Sequence, residues 1–318
     1  VMHSYATPYN IVRSQEPDVP VYCFRPDRVT AAAKWFRESF PAQPFYAVKA
    51  NPGVHVLDAL WAAGINSFDV ASENEIELIY NRFPGARMAF LHPVKNRRAI
   101  SRAYHQYGVR IFVTDTQAEL QKILEETGYA RDLTILGFPS IYADTPPPSL
   151  EAYAAMVETS FENMFVLENA DLWCEPGRAL VAEAESLLVR VELAKPGSIY
   201  INDGSYGALY DAVHERWQFP MRAITGDGRK LRGMAEYTVY GPTCDSTDKF
   251  PDKVWLPAGL TEGDYLEFGN IGAYGRAMSS RFNGFGETEV AIVHDAPWPS
   301  LYNAIGAEVI AIGSKATK

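Results

Sequence analysis

Apolar and polar positions alternate along this chain in two textures. Residues 19–24 (VPVYCF) form a short apolar run, read as a strand. From Asp27 to Phe40, Val29, Ala33, Phe36 and Phe40 recur at helical spacing. A repeating unit then begins: a short apolar strand, a polar or glycine turn, an amphipathic helix. The strands are Pro44–Ala50, Ser67–Ala71, Arg87–Leu91 and Val109–Thr114. The helices that follow them are Val54–Ala63, Glu73–Asn81, Asn96–Tyr107 and Gln117–Thr127, and a fifth strand opens at Asp132–Ile135. Strands alternating with helices predict a parallel sheet with right-handed crossovers. Their Val/Ile/Phe/Ala content without clean alternation suits strands buried on both faces. A (β/α)8 barrel and an open doubly wound sheet both satisfy the pattern, but no GxGxxG follows the first strand, which weakens a dinucleotide-binding reading.

After Glu183 the texture changes. Short strands (Ser186–Leu193, Ser198–Asn202, Ala235–Tyr240, Tyr265–Phe268, Glu289–His294) are separated by turn segments (KPGS, NDGSYG, GDGR, TEGD). This predicts an antiparallel β domain following an α/β part, with the boundary near 180–185.

Composition narrows the function classes. The 318 residues carry a net charge of −10, with 47% hydrophobic and 21% charged residues. The acidic balance argues against nucleic acid as a partner. No apolar run reaches the ~18–20 residues of a membrane helix, and residues 1–10 lack the pattern of a signal peptide. Cys23, Cys174 and Cys244 form neither a CxxC pair nor a disulfide framework, so a cytoplasmic location is expected. No metal is expected.

Five segments carry candidate chemistry. Lys49 ends an apolar strand in PFYAVKAN, where partial desolvation suits an amine for covalent chemistry and a solvated surface lysine is the plain alternative. Glu175 and Arg178 flank Pro-Gly in CEPGRALV, either as an acid with an anion-binding group or as a surface ion pair. Asn202-Asp203-Gly204 reads as a turn. Cys244 stands among Asp245 and Asp248 in YGPTCDSTD, as a proton-donating thiol or as an inert cysteine. Gly269–Gly275 is a glycine-rich loop containing Tyr274, suited to cradling phosphate or simply to turning.

Taken in order, PFYAVKAN, FDVASENEI, CEPGRALV, YINDGSYG, YGPTCDSTD and GAYGRAMSSRFNGF resemble the successive signatures of the alanine-racemase-type (fold type III) pyridoxal-phosphate (PLP) decarboxylases of basic amino acids. The resemblance runs from about Val19 to Phe285 and is nearest to the ornithine decarboxylases. It implies a PLP-binding (β/α)8 TIM-like barrel over residues 27–183, and a β domain built from residues 1–26 and 184–318. It further implies a homodimer with shared active sites. Lys49 would hold PLP, and Glu175 would pair with its ring nitrogen. Gly177, Arg178 and Tyr274 would contact the phosphate, with Asp69 and Glu75 nearby. Cys244 of the partner subunit would protonate the α-carbon, Asp203 and Asp245 would bind the distal amine, and Phe282 would line the site. The implied reaction is L-ornithine to putrescine and CO2, a step of polyamine biosynthesis. Alternatives are a lysine/ornithine or diaminopimelate decarboxylase, though the Cys244-Asp245 pair disfavours the latter, where Glu usually follows the cysteine. A racemase, with tyrosine at the Cys244 position, is disfavoured too. A non-catalytic PLP-binding or regulatory homologue is a reading of another class.

One feature departs from the pattern. Asp27 to Glu183 is too short for a complete (β/α)8 barrel, which needs ~200 residues or more. Leu136-Gly137-Phe138-Pro139 resembles the tail of a turn that follows the seventh strand, and Asp171–Cys174 the eighth strand. The expectation is that the intact polypeptide carries further residues between Ile135 and Leu136. An intact mass well above 35.4 kDa would establish them; a mass of 35.4 kDa would show a truly shortened chain.

Overall fold

The computed structural model describes residues 2–137, 155, 159 and 171–302. Five parallel strands lie side by side in sequence order: Tyr46–Ala47, Ser67–Val70, Arg87–Phe90, Ile111–Thr114 and Thr134–Gly137. Gln43–Pro44 pairs in parallel with Trp173–Cys174, and Phe45 N donates to Cys174 O at 2.8 Å. Residues 43–47 are therefore held on both sides, and the sheet continues past them as one α/β arc. The strands that would close such an arc into a full barrel are not among the described residues.

Local chemistry sets the helix starts. The side chains of Ser72, Asn96 and Thr116 accept from the backbone N–H three residues on and open the helices Glu73–Arg82, Arg97–His105 and Gln117–Glu126. Asn96 is thus a cap rather than the first helical residue. The helix expected over Asp27–Phe40 spans Pro26–Glu38, because Pro26 fits the first turn, where no amide partner is needed. Strand side chains divide by parity. Tyr46, Phe68, Phe90 and Phe112 enter the large core beneath the helices, whereas Phe45, Ala89 and Ile111 pack on the opposite face with Trp173.

The backbone passes through Ile135–Leu136 within one strand, whose pairing with Ile111–Thr114 is uninterrupted. Phe138 and Pro139, and the end of the expected β domain beyond Tyr302, lie outside the described residues.

The second sheet has nine strands among the described residues. Glu185–Lys195 is its longest, pairing antiparallel with Val21–Phe24, Ser198–Ile201 and Tyr265–Phe268. The expectation of an antiparallel sheet is corrected: Ser4–Tyr5 with Glu289–Val293, Val21–Phe24 with Glu289–Val293, and Ser198–Ile201 with Met234–Tyr240 are parallel pairings. The cause is long-range, since the N-terminal segment lies alongside the last strand. The pattern also missed Met221–Ile224 and Val254–Pro257. No helix among the described residues is long and apolar enough to cross a membrane.

A ring of alternating charges ties this sheet to the chain that leaves it. Arg25 bonds Glu267 (3.0 Å) and Asp295 (2.7 Å), and Arg222 bonds the remaining oxygens of the same two carboxylates at 2.5 and 2.7 Å. Ser186 adds hydrogen bonds to Arg25 and Glu267, and both guanidinium groups lie over Trp298. Glu267 is fully buried, and removing it leaves the buried Arg25 and the partly exposed Arg222 to share Asp295 alone. Replacement of Glu267 by Ala should lower unfolding free energy by about 3–5 kcal/mol in urea titrations. A change within the ~1 kcal/mol of a surface pair would show that the ring holds nothing together.

Candidate active site

Lys49 does not end in the strand that the sequence suggested. The strand stops at Ala47, and Val48–Ala50 form one turn of 3₁₀ helix before Pro52-Gly53 and the helix Val54–Ala62. That turn lifts the ammonium of Lys49 beyond the C-terminal edge of the sheet, and the side chain is 54% exposed. Its Nζ lies 3.8 Å from Asp69 Oδ2, at the end of the neighbouring strand.

The surroundings of Lys49 are acidic and partly dry. Asp69 is buried, its Oδ1 has no hydrogen-bond partner, and its pKa is pushed up to about 7. Burial is the main cause and the charge of Glu175 adds to it, while Lys49 opposes both. Burial also raises Glu175, with Lys49 pulling it back. Glu75 is raised by burial too, and its Oε2 accepts from Ala71 N at 2.7 Å, closing the turn between strand and helix.

The phosphate-binding candidates meet the same edge. A Cβ added at Gly177 would stand 3.0 Å from Ala50 Cβ and 3.4 Å from Ala47 Cβ, so glycine permits a close approach to the Lys49 turn. Tyr274, in the left-handed conformation (φ 62°), donates its backbone N–H to Ala50 O at 2.8 Å. The Arg178 guanidinium lies over the Tyr274 ring (4.9 Å) and the Trp217 ring (3.9 Å). Its Nη2 bonds Asp211 at 2.7 Å, and its buried Nη1 has no partner among the described residues. Lys49, Asp69, Glu75, Glu175, Gly177, Arg178 and Tyr274 are therefore brought together.

The remaining candidates divide. Asp203, expected to bind the distal amine, lies apart from Cys244, Asp245 and Phe282 in its contacts. It is buried, accepts from Leu209 N at 3.2 Å, and is held by the backbone of Gly204 and Ala208 as well. Burial raises its pKa to about 7. Its oxygens close the 203–209 turn, and a Cβ at Gly207 would collide with them. Cys244 is exposed, with φ 61°. Asp245 accepts from Thr247 N (2.8 Å) and Oγ1 (2.6 Å), which hold its carboxyl below the ordinary value. Phe282 stacks on Tyr206 at 4.4 Å, Tyr206 reaches Thr247 Oγ1 at 3.4 Å, and Asn283 bonds Thr243 O. Cys244, Asp245 and Phe282 thus share a surface patch of their own.

Two carboxylates take roles that the sequence did not assign. Asp248 is buried and accepts from the backbone N–H and hydroxyl of both Ser205 and Thr243, so it organises the loop that presents Cys244. Asp211 orients Arg178. Neither stands out in the sequence, since each acts on a residue remote from it in the chain.

Residues 27–135 match the family model "Pyridoxal-dependent decarboxylase, pyridoxal binding domain". That match and the relatives below support a fold type III PLP-dependent decarboxylase of basic amino acids. The decarboxylase flvG of Aspergillus flavus is 26% identical, covering 82% of each chain, and the ornithine decarboxylase of Schizosaccharomyces pombe is 26% identical over 79% of this chain and 78% of its own. The arginine decarboxylase of Paramecium bursaria Chlorella virus, solved with agmatine, has the same fold, with a TM-score of 0.77 at 20% identity, covering 89% of this chain and 98% of its own. The match to flvG runs over 353 positions, more than the 318 residues present here, so that relative carries residues this chain lacks. The family match stops at Ile135, where the sequence pattern breaks.

The site fits the cofactor of this family. The unpartnered Nη1 of Arg178 suits a phosphate, the exposed Lys49 amine suits an aldehyde, and the half-buried carboxyl of Glu175 suits a ring nitrogen.

The raised pKa of Asp69 has a stability consequence. Folded, it holds its proton up to about pH 7; its ordinary value is 3.8. Between those values the folded state binds more protons than the unfolded one, so stability falls as pH rises. The cofactor-free Asp69→Asn variant should gain on wild type from about pH 4 to about pH 7 and hold the gain above that. A stability difference that does not vary with pH would refute the assignment.

Proposed function

We propose that this protein decarboxylates a basic amino acid with PLP, and that its substrate is L-ornithine, giving putrescine and CO2. The observation that carries the reading is the meeting of Lys49, Asp69, Glu175 and the unpartnered Arg178 at one edge of the sheet. In this reading Lys49 holds the cofactor covalently, Glu175 bonds its ring nitrogen, and Gly177, Arg178 and Tyr274 hold its phosphate. PLP supplies an electron sink for the pair left when CO2 departs.

The chain's own residues do the rest. The near-neutral Asp69 and the raised Glu175 allow a proton to reside at the site near pH 7 without burying two full charges. The patch of Cys244, Asp245 and Phe282 is exposed, which suits it to complete the site of a second subunit in a homodimer. There the Cys244 thiol delivers a proton to the α-carbon. The carboxylate of Asp245, kept ionised by Thr247, pairs with the distal ammonium of the substrate. Ornithine and lysine differ by one methylene, worth about 1–3 kcal/mol of discrimination, so activity on lysine is expected as well. The division into a barrel over residues 27–183 and a β domain of residues 1–26 and 184–318 belongs to the same proposal.

Release of CO2 from carboxyl-labelled ornithine tests the reading. The protein supplied with PLP should release it, and Lys49→Ala should abolish release; substantial remaining activity would refute the role of Lys49. Cys244→Ala should slow release by about 10²–10⁴-fold if the thiol is the proton donor.

A further inference from the structure

Behind Lys49 lies a buried polar network that the reaction outlined above does not use. Asn51, two residues past Lys49, is 1% exposed, and every polar atom of its side chain is engaged. Nδ2 donates to Glu185 Oε2 and to Gly272 O, both at 2.8 Å, and Oδ1 accepts from Gly53 N at 2.9 Å. The backbone carbonyl of Asn51 accepts from the phenol of Tyr46 at 3.0 Å. The other oxygen of Glu185 lies 2.7 Å from His55 Nε2, in the first turn of the helix after Lys49. The side chain of Glu185 is fully buried, and the His55 ring packs edge-on against Phe24 at 4.8 Å.

The connectivity is the telling feature. Glu185 begins the longest strand of the second sheet, and its backbone carbonyl accepts from Ile271 N at 3.0 Å. The network therefore joins the turn that carries Lys49 to the loop that carries Tyr274, through a residue of the other sheet. A buried carboxylate is tolerated only when its oxygens are bonded, and Asn51 and His55 bond both. Apolar packing alone would hold the surfaces together without fixing their register.

We propose that Glu185, braced by His55, is a positioning residue that fixes the Lys49 turn against the Tyr274 loop through Asn51. It touches neither cofactor nor substrate. The inference rests on the PLP reading of the site for its catalytic consequence, but its structural consequence stands apart from that reading. Removing the carboxylate frees the Asn51 amide on one side and loosens the pairing of Tyr274 N with Ala50 O.

The test compares Glu185→Ala with Glu185→Gln, whose amide oxygen can still accept from Asn51 and whose NH2 can face His55. Glu185→Ala should lower kcat by about 10- to 100-fold, as displacement of a reacting group does, with KM changed by less than about threefold. In the cofactor-free protein the Tyr274 amide should exchange faster with solvent, while amides along 187–190 keep their protection. Glu185→Gln should restore both readouts. A kcat within about twofold of wild type, a loss confined to KM, or a Glu185→Gln variant as impaired as Glu185→Ala would overturn the proposal. So would unchanged exchange at Tyr274. Should Glu185→Ala fail to fold, His55→Ala against His55→Gln decides by the same readouts, since Gln keeps a donor toward Glu185. If wild type with PLP releases no CO2, the functional reading fails, and exchange at Tyr274 still decides the role of Glu185.

Discussion

The segment Gln43–Ala47 is bonded to a strand on each side, and the arrangement of the site depends on that double pairing. On one side it meets Trp173–Cys174, which delivers Glu175, Gly177 and Arg178. On the other it meets Ser67–Val70, which delivers Asp69. Parallel pairing brings the C-terminal ends of all three strands to one edge, where an exposed lysine and two buried or half-buried carboxyls gather. Residues more than 120 apart in the chain become neighbours through backbone hydrogen bonds alone, before any side-chain chemistry acts.

Burial raises the pKa of the acid groups at that edge, and the lysine by contrast is open to solvent. The contrast matters for chemistry. Low local polarity raises Asp69 and Glu175 toward neutrality, and it strengthens any bond they make to a cationic ring or ammonium. The second sheet contributes in another way. Through Glu185 and the Gly269–Gly275 loop it braces the Lys49 turn, and through Asp248 it shapes an exposed loop that presents a cysteine away from its own sheet.

Much of this was legible in the linear pattern, and the limits have physical reasons. The strand–helix alternation from Pro44 to Ile135 followed from apolar periodicity, because that signal is local. The parallel entry of Ser4–Tyr5 and the strands Met221–Ile224 and Val254–Pro257 were not legible, since they exist only through remote partners. Among candidate residues, Lys49, Asp69, Glu75, Glu175, Gly177, Arg178 and Tyr274 were named from motifs and are found together. Asp203 was named for a substrate, and the fold uses it to close a turn.

The sequence by itself determined most element types, the order of chemistry-bearing segments and the family resemblance, because periodicity and motif order are properties of neighbouring residues. Tertiary structure alone decided which carboxylates are buried beside Lys49, that Asp211 meets Arg178, and that Asn51, His55 and Glu185 form one network. Those outcomes depend on desolvation and on contacts between distant segments, and no spacing along the chain encodes either quantity.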